Sequence, residues 1–131
     1  MRSLITFLIA LLLPSWAFAV ECRDEPGNVD TECFTAQWDR EIENADRELN
    51  VVYKKLLKSI DDENTKADLI KAQRAWVTFY QLDCKARYDL MHIGSSFTKL
   101  EVGESCRLDK LKRRISELKD HCGSNLDCRG R

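Results

Sequence analysis

The chain has 131 residues, with 21 Lys and Arg against 22 Asp and Glu, for a net charge of −1. This balance excludes a strongly basic nucleic-acid binder and a strongly acidic tail protein. Hydrophobic residues make up 44% and charged residues 33%, a composition that argues against intrinsic disorder. Five Gly and two Pro are too few for an all-β protein with many tight turns.

The N-terminus has the pattern of a secretory signal peptide, residues 1–19. A short positive start precedes the largely apolar run 4–13, which is too short to span a bilayer. Ala17-Phe18-Ala19 then supplies a small residue on each side of a larger one, as signal cleavage sites do. We therefore predict export to the periplasm or the medium.

Removal of this peptide leaves residues 20–131, which we predict to be one domain. No membrane anchor is expected after cleavage, because Glu21 rather than a small residue precedes Cys22. All six cysteines remain in the mature chain. An oxidising compartment favours disulfides among them.

The first helix is predicted over about residues 31–60. Its apolar residues recur every three or four positions, which lines one face of a helix. Asp30 is a good N-cap for its positive end. The predicted seam consists of Trp38, Ile42, Ala45, Leu49, Val52 and Leu56.

A second helix is predicted over about residues 65–90. Thr65-x-x-Asp68 resembles a capping box at its start. The link to the first helix is short, so we expect the two to pack as an antiparallel hairpin. The predicted buried stripe consists of Leu69, Ala72, Trp76, Phe79, Ala86 and Leu90.

Residues 92–103 show no helical stripe and contain Gly94 and Gly103, which predicts a loop. A third helix, capped by Ser105, is predicted to about residue 120. The predicted fold class is therefore all-α: an antiparallel two-helix hairpin plus a third helix, in a small secreted domain stapled by disulfides.

Polar residues beside the apolar seams are expected to form a structural network between the first two helices. Buried polar groups must find partners, and facing helices offer them. We therefore expect Asp46 and Asn50 to pair with Gln73 or Arg74 and to fix the register of the hairpin, with Tyr53 beside them.

Two motifs resemble the LprI-like lysozyme-inhibitor domains. Ala45-Asp46-x-x-Leu49-Asn50-x-x-Tyr53 is similar to that family's AD-x-x-LN-x-x-Y signature. Leu69-x-x-Ala72-Gln73-Arg74-Ala75-Trp76 is similar to its L-x-x-AQRAW. The family's remaining features are matched by Cys22, Cys33, Cys84, the loop at Gly94-Ser95, and Cys106 followed by Arg114-x-x-x-Leu118.

The resemblance covers about residues 22–118, nearly the whole mature chain. It implies an exported helical domain and, more distantly, inhibition of lysozyme. Three features depart from the pattern. Phe79-Tyr80-Gln81 stands where the family shows Tyr-Arg-Asp, and the loop at Gly94-Ser95 has one Gly where two are common. The tail 122–128 adds a cysteine at each of its ends.

Nearest-neighbour pairing is the favoured arrangement of the cysteines. Cys84–Cys106 would staple the predicted loop to the second and third helices. Cys33–Cys84 remains an alternative, since both residues lie toward the same end of the hairpin. The full favoured set is Cys22–Cys33, Cys84–Cys106 and Cys122–Cys128.

Neither a metal site nor catalysis is expected. The cysteines and the two histidines, His92 and His121, lack the paired spacing of structural zinc sites. There is no Gly-x-Ser-x-Gly elbow, and nothing in the sequence places a nucleophile beside a base. We therefore assign no catalytic residue and no cofactor.

The predicted loop is the candidate site for a protein partner. A rigid loop loses little entropy on binding, and Ser or Lys side chains can reach the carboxylates of a lysozyme cleft. We hypothesise an inhibitor of lysozyme-type muramidases. The alternative is an envelope binding or immunity module for a different protein, which would use its helical faces. The candidate loop residues are His92, Ser95, Ser96, Phe97 and Lys99.

Overall fold

Three long helices make up most of the part of the chain that the computed structural model describes. The described residues are Cys22, 24–25, 28–91 and 96–122. A pair of two-residue antiparallel strands, β1 (Asp24–Glu25) and β2 (Asn28–Val29), precedes the helices α1 (Thr31–Ser59), α2 (Glu63–Leu90) and α3 (Ser96–His121). The all-α prediction is confirmed, with the short strand pair as an addition. The predicted signal peptide lies outside the described residues.

The first two helices begin at aspartate N-caps. The Asp30 carboxylate accepts a hydrogen bond of 3.0 Å from the backbone N–H of Cys33. The Asp62 carboxylate accepts one of 2.6 Å from the backbone N–H of Thr65. Hydrogen bonds from the Thr65 side chain and backbone lower the pKa of Asp62 below its usual value. Asp62 is therefore the cap of α2, and Thr65, which the sequence motif favoured, lies in the first turn.

The third helix begins much earlier than its predicted cap. It starts at Ser96, and Ser105 lies inside it, where the hydroxyl donates to the carbonyl of Val102 at 3.3 Å. The prediction of a loop up to residue 103 is therefore wrong. Gly103 is buried in the helix because α2 passes close by: a Cβ there would lie 3.4 Å from Cδ2 of Tyr88. Gly103 therefore lies at a contact between two helices, where a Cβ would meet Tyr88 at an ordinary van der Waals distance, and it does not form a turn.

Pairs of residues that join α3 to the other two helices define the directions of those helices. Lys112 lies 4.0 Å from Glu41, and Lys119 lies 2.6 Å from Glu48, so residue numbers rise together along α1 and α3. These two helices are therefore parallel.

The α2–α3 contacts follow the opposite order. Gln73 meets Arg114 near the start of α2, whereas Cys84 is bonded to Cys106 further along it. Helices α2 and α3 are therefore antiparallel, and α1 and α2 point in opposite directions, as the hairpin prediction required. Their packing differs from that prediction, because α1 and α2 each pack mainly against α3 and little against each other.

The core lies around α3. Leu111 and Leu118 are each only 1% exposed. The α1 seam is confirmed, because its members from Ile42 to Leu56 are buried and Trp38 packs against them. No helix among the described residues has both the length and the apolar character that crossing a membrane requires.

The buried face of α2 differs from the predicted stripe. Leu69 and Trp76 pack against the core as predicted, whereas the other four members of the stripe are exposed: Ala72, Phe79, Ala86 and Leu90. The buried residues of α2 are instead Gln73, Tyr80 and Cys84. The reason is that apolar residues occur on two sides of this helix, and α3 covers only one of them.

Candidate binding surface on helices α2 and α3

The predicted binding loop is not present as a loop over most of its length. Ser96, Phe97 and Lys99 lie in the first turn of α3, where Ser96 is exposed and Lys99 is half-buried. His92 and Ser95 lie outside the described residues. The loop assignment is therefore wrong for the three residues of α3, while a partner-binding role for any of the five stays a prediction.

The predicted polar network between α1 and α2 is replaced by two separate sets of hydrogen bonds. The Asn50 amide donates to the Asp46 carbonyl at 2.9 Å and to its carboxylate at 3.1 Å, all within one exposed stretch of α1. Arg74 is exposed, and Tyr53 packs against the core. The expected pairing of Asp46 and Asn50 with α2 is wrong, because α3 takes the place beside α2.

Gln73 instead pairs with α3. The Arg114 guanidinium donates from Nε to Oε1 of Gln73 at 3.0 Å and lies 3.0 Å from Glu117. It also sits 5.6 Å from the centre of the Trp76 ring, which stacks on Tyr80 at 4.7 Å. These contacts fix the register of α2 on α3. The sequence motif contained Gln73 and Trp76, but nothing in its spacing indicated Arg114 as their partner.

A stripe of apolar side chains runs along the outer side of α2. Phe79 is 56% exposed, Leu82 is 62% exposed and Leu90 is 69% exposed, and Ala86 is exposed between them. Their separations of three or four positions place them on one side of the helix. We call these four residues the outer stripe.

A recess of about 90 Å³ adjoins this stripe, between α2 and α3. The Lys110 ammonium connects the two features, because it lies 4.7 Å from the centre of the Phe79 ring. The recess is mainly polar and cationic. It is lined by Arg87, Cys106, Asp109, Lys110 and Arg113.

One carboxylate partly neutralises these cations. Oδ2 of Asp83 lies 3.0 Å from Lys110 Nζ and 3.3 Å from Arg87 Nε. The close ion pair with Lys110 and the charge of Arg87 hold the pKa of Asp83 below its usual value, against an opposing effect of desolvation. Arg113 is exposed and has no ion-pair partner in the described part of the chain.

A disulfide forms the floor of this region. Cys84 and Cys106 are bonded with their Cα atoms 5.6 Å apart, and both are buried. Their sulfurs and the Asp83 carboxylate lie close together, in a grouping that resembles a metal site. Both sulfurs are consumed by the S–S bond, however, and the carboxylate is ion-paired, so the group is a brace between helices.

The remaining cysteine predictions are the pairs Cys22–Cys33 and Cys122–Cys128. The Cys22–Cys33 disulfide is present and attaches the segment before the strands to the first turn of α1. Cys122 is disulfide-bonded and completely buried. Its predicted partner, Cys128, lies outside the described residues.

The apolar periodicity of α2 places Phe79, Ala86 and Leu90 on its predicted buried face, and this prediction is wrong. Periodicity shows which residues share a side of a helix and not which side is covered. The recess has no sequence motif, since its cations come from two helices that only the fold brings together.

Braced helices and an exposed mixed apolar and cationic surface define a small helical domain suited to binding a protein. The chain belongs to the family described as lysozyme inhibitor LprI, whose model matches residues 22–118. Neither the curated proteins nor the solved structures include a match to the chain.

Proposed function

We propose that this protein is exported and that it binds and blocks a lysozyme-type muramidase. The observation that carries the proposal is the family match over residues 22–118, which includes all three helices almost to the end of α3. The signal-peptide pattern of residues 1–19 supports a location where such an enzyme would be met.

The construction of the domain supports inhibition by binding rather than by turnover. Cys22–Cys33 ties the segment before the strands to the first turn of α1, and Cys84–Cys106 links α2 to α3. A surface that is already rigid loses little conformational entropy on association, so more of its contact energy appears as affinity. An inhibitor that competes with an extended glycan benefits from this property.

A lysis assay tests the proposal directly. The oxidised chain is titrated against muramidases of several structural classes, with suspended cell walls as substrate. We expect inhibition of at least one class that saturates near a one-to-one ratio, and we expect it to be lost when the protein is reduced and alkylated. A folded, oxidised chain that inhibits no class at micromolar excess contradicts the proposal.

The same assay tests the residues singled out in the sequence. Ser96→Ala and Lys99→Ala change exposed or half-buried side chains in the first turn of α3. If this turn contacts the muramidase, each variant weakens inhibition while its circular dichroism spectrum stays unchanged. Inhibition equal to that of the parent protein would remove these residues from the binding surface.

A further inference from the structure

The outer stripe of α2 requires an explanation that the fold does not supply. Single exposed apolar residues are normal on protein surfaces. Here three large apolar side chains, each more than half exposed, share one side of one helix: Phe79, Leu82 and Leu90. Continuous exposed apolar surface of this kind marks interaction sites in soluble domains.

The spacing of the stripe fits one mode of protein recognition. Positions 79, 82, 86 and 90 recur every three or four residues, which is how a helix presents anchors to a groove in its partner. The helix is fixed from behind by the Cys84–Cys106 disulfide and by the Arg114–Gln73 hydrogen bond. It can therefore present the stripe without first having to fold.

The charges beside the stripe indicate the chemistry of that groove. Arg87, Lys110 and Arg113 face two carboxylates, Asp83 and Asp109, so the recess keeps an excess of one positive charge. The chain as a whole has a net charge of −1. Arg113 in particular has no ion-pair partner among the described residues, so its guanidinium is available to a carboxylate outside the protein.

We propose that the outer stripe and its cationic recess dock in the substrate cleft of the muramidase, with Arg113 directed to a cleft carboxylate. Glycoside hydrolases hold a pair of carboxylates on either side of the bond they cleave, in a cleft shaped for sugar rings. An apolar helix face bordered by cations complements such a cleft. This inference rests on the proposed function and names the surface that performs it.

Two substitutions test the surface, each with a matched control on α1. Leu82→Glu and Arg113→Glu change the stripe and the recess. Val51→Glu and Arg40→Glu make the same changes at exposed positions elsewhere. Affinity for the inhibited muramidase is measured by calorimetry, and folding of each variant by circular dichroism and thermal melting.

We expect Leu82→Glu to weaken binding at least tenfold, as loss of a central anchor does, and Arg113→Glu to weaken it about tenfold. The effect of Arg113→Glu should shrink as salt is added, because screening weakens exposed charge pairs. Both α1 controls should bind within a factor of two of the parent protein. A chito-oligosaccharide that fills the cleft should compete with the parent protein.

Each other outcome overturns the inference. Parent-like inhibition by Leu82→Glu and Arg113→Glu, or binding that the sugar does not affect, leaves the inhibitor function intact but places it on another surface. If the parent protein self-associates and Leu82→Glu abolishes this, the outer stripe binds a second copy of the chain. If the parent protein binds phosphatidylglycerol vesicles and Leu82→Glu does not, the outer stripe binds a membrane. A parent protein that inhibits no muramidase removes the proposed function and this inference together.

Discussion

Gln73 and Arg74 are adjacent in the sequence and have the same predicted pairing, but they lie in different surroundings in the structure. The sequence predicts that Asp46 and Asn50 of α1 pair with Gln73 or Arg74. The fold buries Gln73 against Arg114 and leaves Arg74 exposed. The difference depends on Arg114, which lies 41 positions away and is brought close only by the antiparallel packing of α3.

Gln73→Ala should lower the free energy of unfolding by about 1–2 kcal/mol. The substitution removes the acceptor for Arg114 Nε in a half-buried site, and a buried donor without a partner is unfavourable by about this amount. Arg74→Ala is the matched control, with an expected change within about 0.5 kcal/mol. Urea titrations followed by circular dichroism measure both, and equal effects would contradict the assignment.

Asp83 gives the stability of the domain a specific dependence on pH. Its pKa in the folded state is lowered, mainly by the close ion pair with Lys110. A lowered carboxylate pKa stabilises the fold above the unfolded value of about 3.9, and this contribution is lost as the pH falls through the folded pKa.

The urea midpoints of the parent protein and Asp83→Asn should therefore differ most at neutral pH and converge progressively below about pH 4. Asp109→Asn is the control, because Asp109 lies in the same recess without an ion pair among the described residues. A difference that stays constant down to strongly acidic pH would show that Asp83 acts through packing rather than charge.

At the scale of elements, local sequence patterns predicted where the helices lie in the chain better than they predicted which helices pack together. The α1 seam and the Asp30 N-cap depend on residues a few positions apart, so local pattern was sufficient for α1. The cap of α2 was not predicted, because the capping-box motif pointed to Thr65 rather than to Asp62. The start of α3 was missed because Gly103 indicates a loop in isolation. In the fold, Gly103 lies inside α3 and faces Tyr88, a residue of another helix.

Gly103→Ala tests this explanation. Alanine favours a helix interior over glycine by about 1 kcal/mol. A Cβ at this position meets Tyr88 at 3.4 Å, which is an ordinary van der Waals distance. We therefore expect a stabilisation of about 0.5–1 kcal/mol in thermal or urea unfolding, whereas Gly103→Leu should destabilise by overpacking. Destabilisation by alanine would mean that the contact between α3 and Tyr88 leaves no room for a Cβ at this position.

The disulfide between α2 and α3 should be the main covalent contribution to stability. It closes a segment of 22 positions. The chain-entropy model assigns a loop of this size roughly 3 kcal/mol. Cys84→Ala with Cys106→Ala should lower the free energy of unfolding by about that amount, as measured by urea titration. A much smaller effect would show that helix packing alone holds α2 in place.

For the whole molecule, α3 is the helix on which the other two depend. Leu118 is 1% exposed and contacts the core, so Leu118→Ala should destabilise by about 2–5 kcal/mol. Leu82→Ala, on the outer stripe, should change stability by less than about 0.5 kcal/mol. The comparison, made by thermal unfolding, separates apolar residues that hold the fold from those available to a partner. Comparable losses would show that the stripe is covered.

The candidate surface was the least predictable part of the molecule. The spacing of the apolar residues in α2 indicates that they share one side of the helix. It also predicts that three of the four residues of the outer stripe belong to the core, which is wrong. Whether a side is covered depends on where α3 packs, and that depends on cross-helix pairs such as Asp83–Lys110. Neither the packing position of α3 nor the cross-helix pairs can be inferred from the spacing of residues within one helix.

The order of the helices has a consequence for biosynthesis. The helix against which α1 and α2 both pack is the last of the three to leave the ribosome. Until it emerges, neither earlier helix has its principal partner, and helices without tertiary packing are marginal in water. We therefore expect the nascent polypeptide to acquire its stable fold only after α3 has been synthesised, so that folding follows the completion of most of the chain rather than accompanying it.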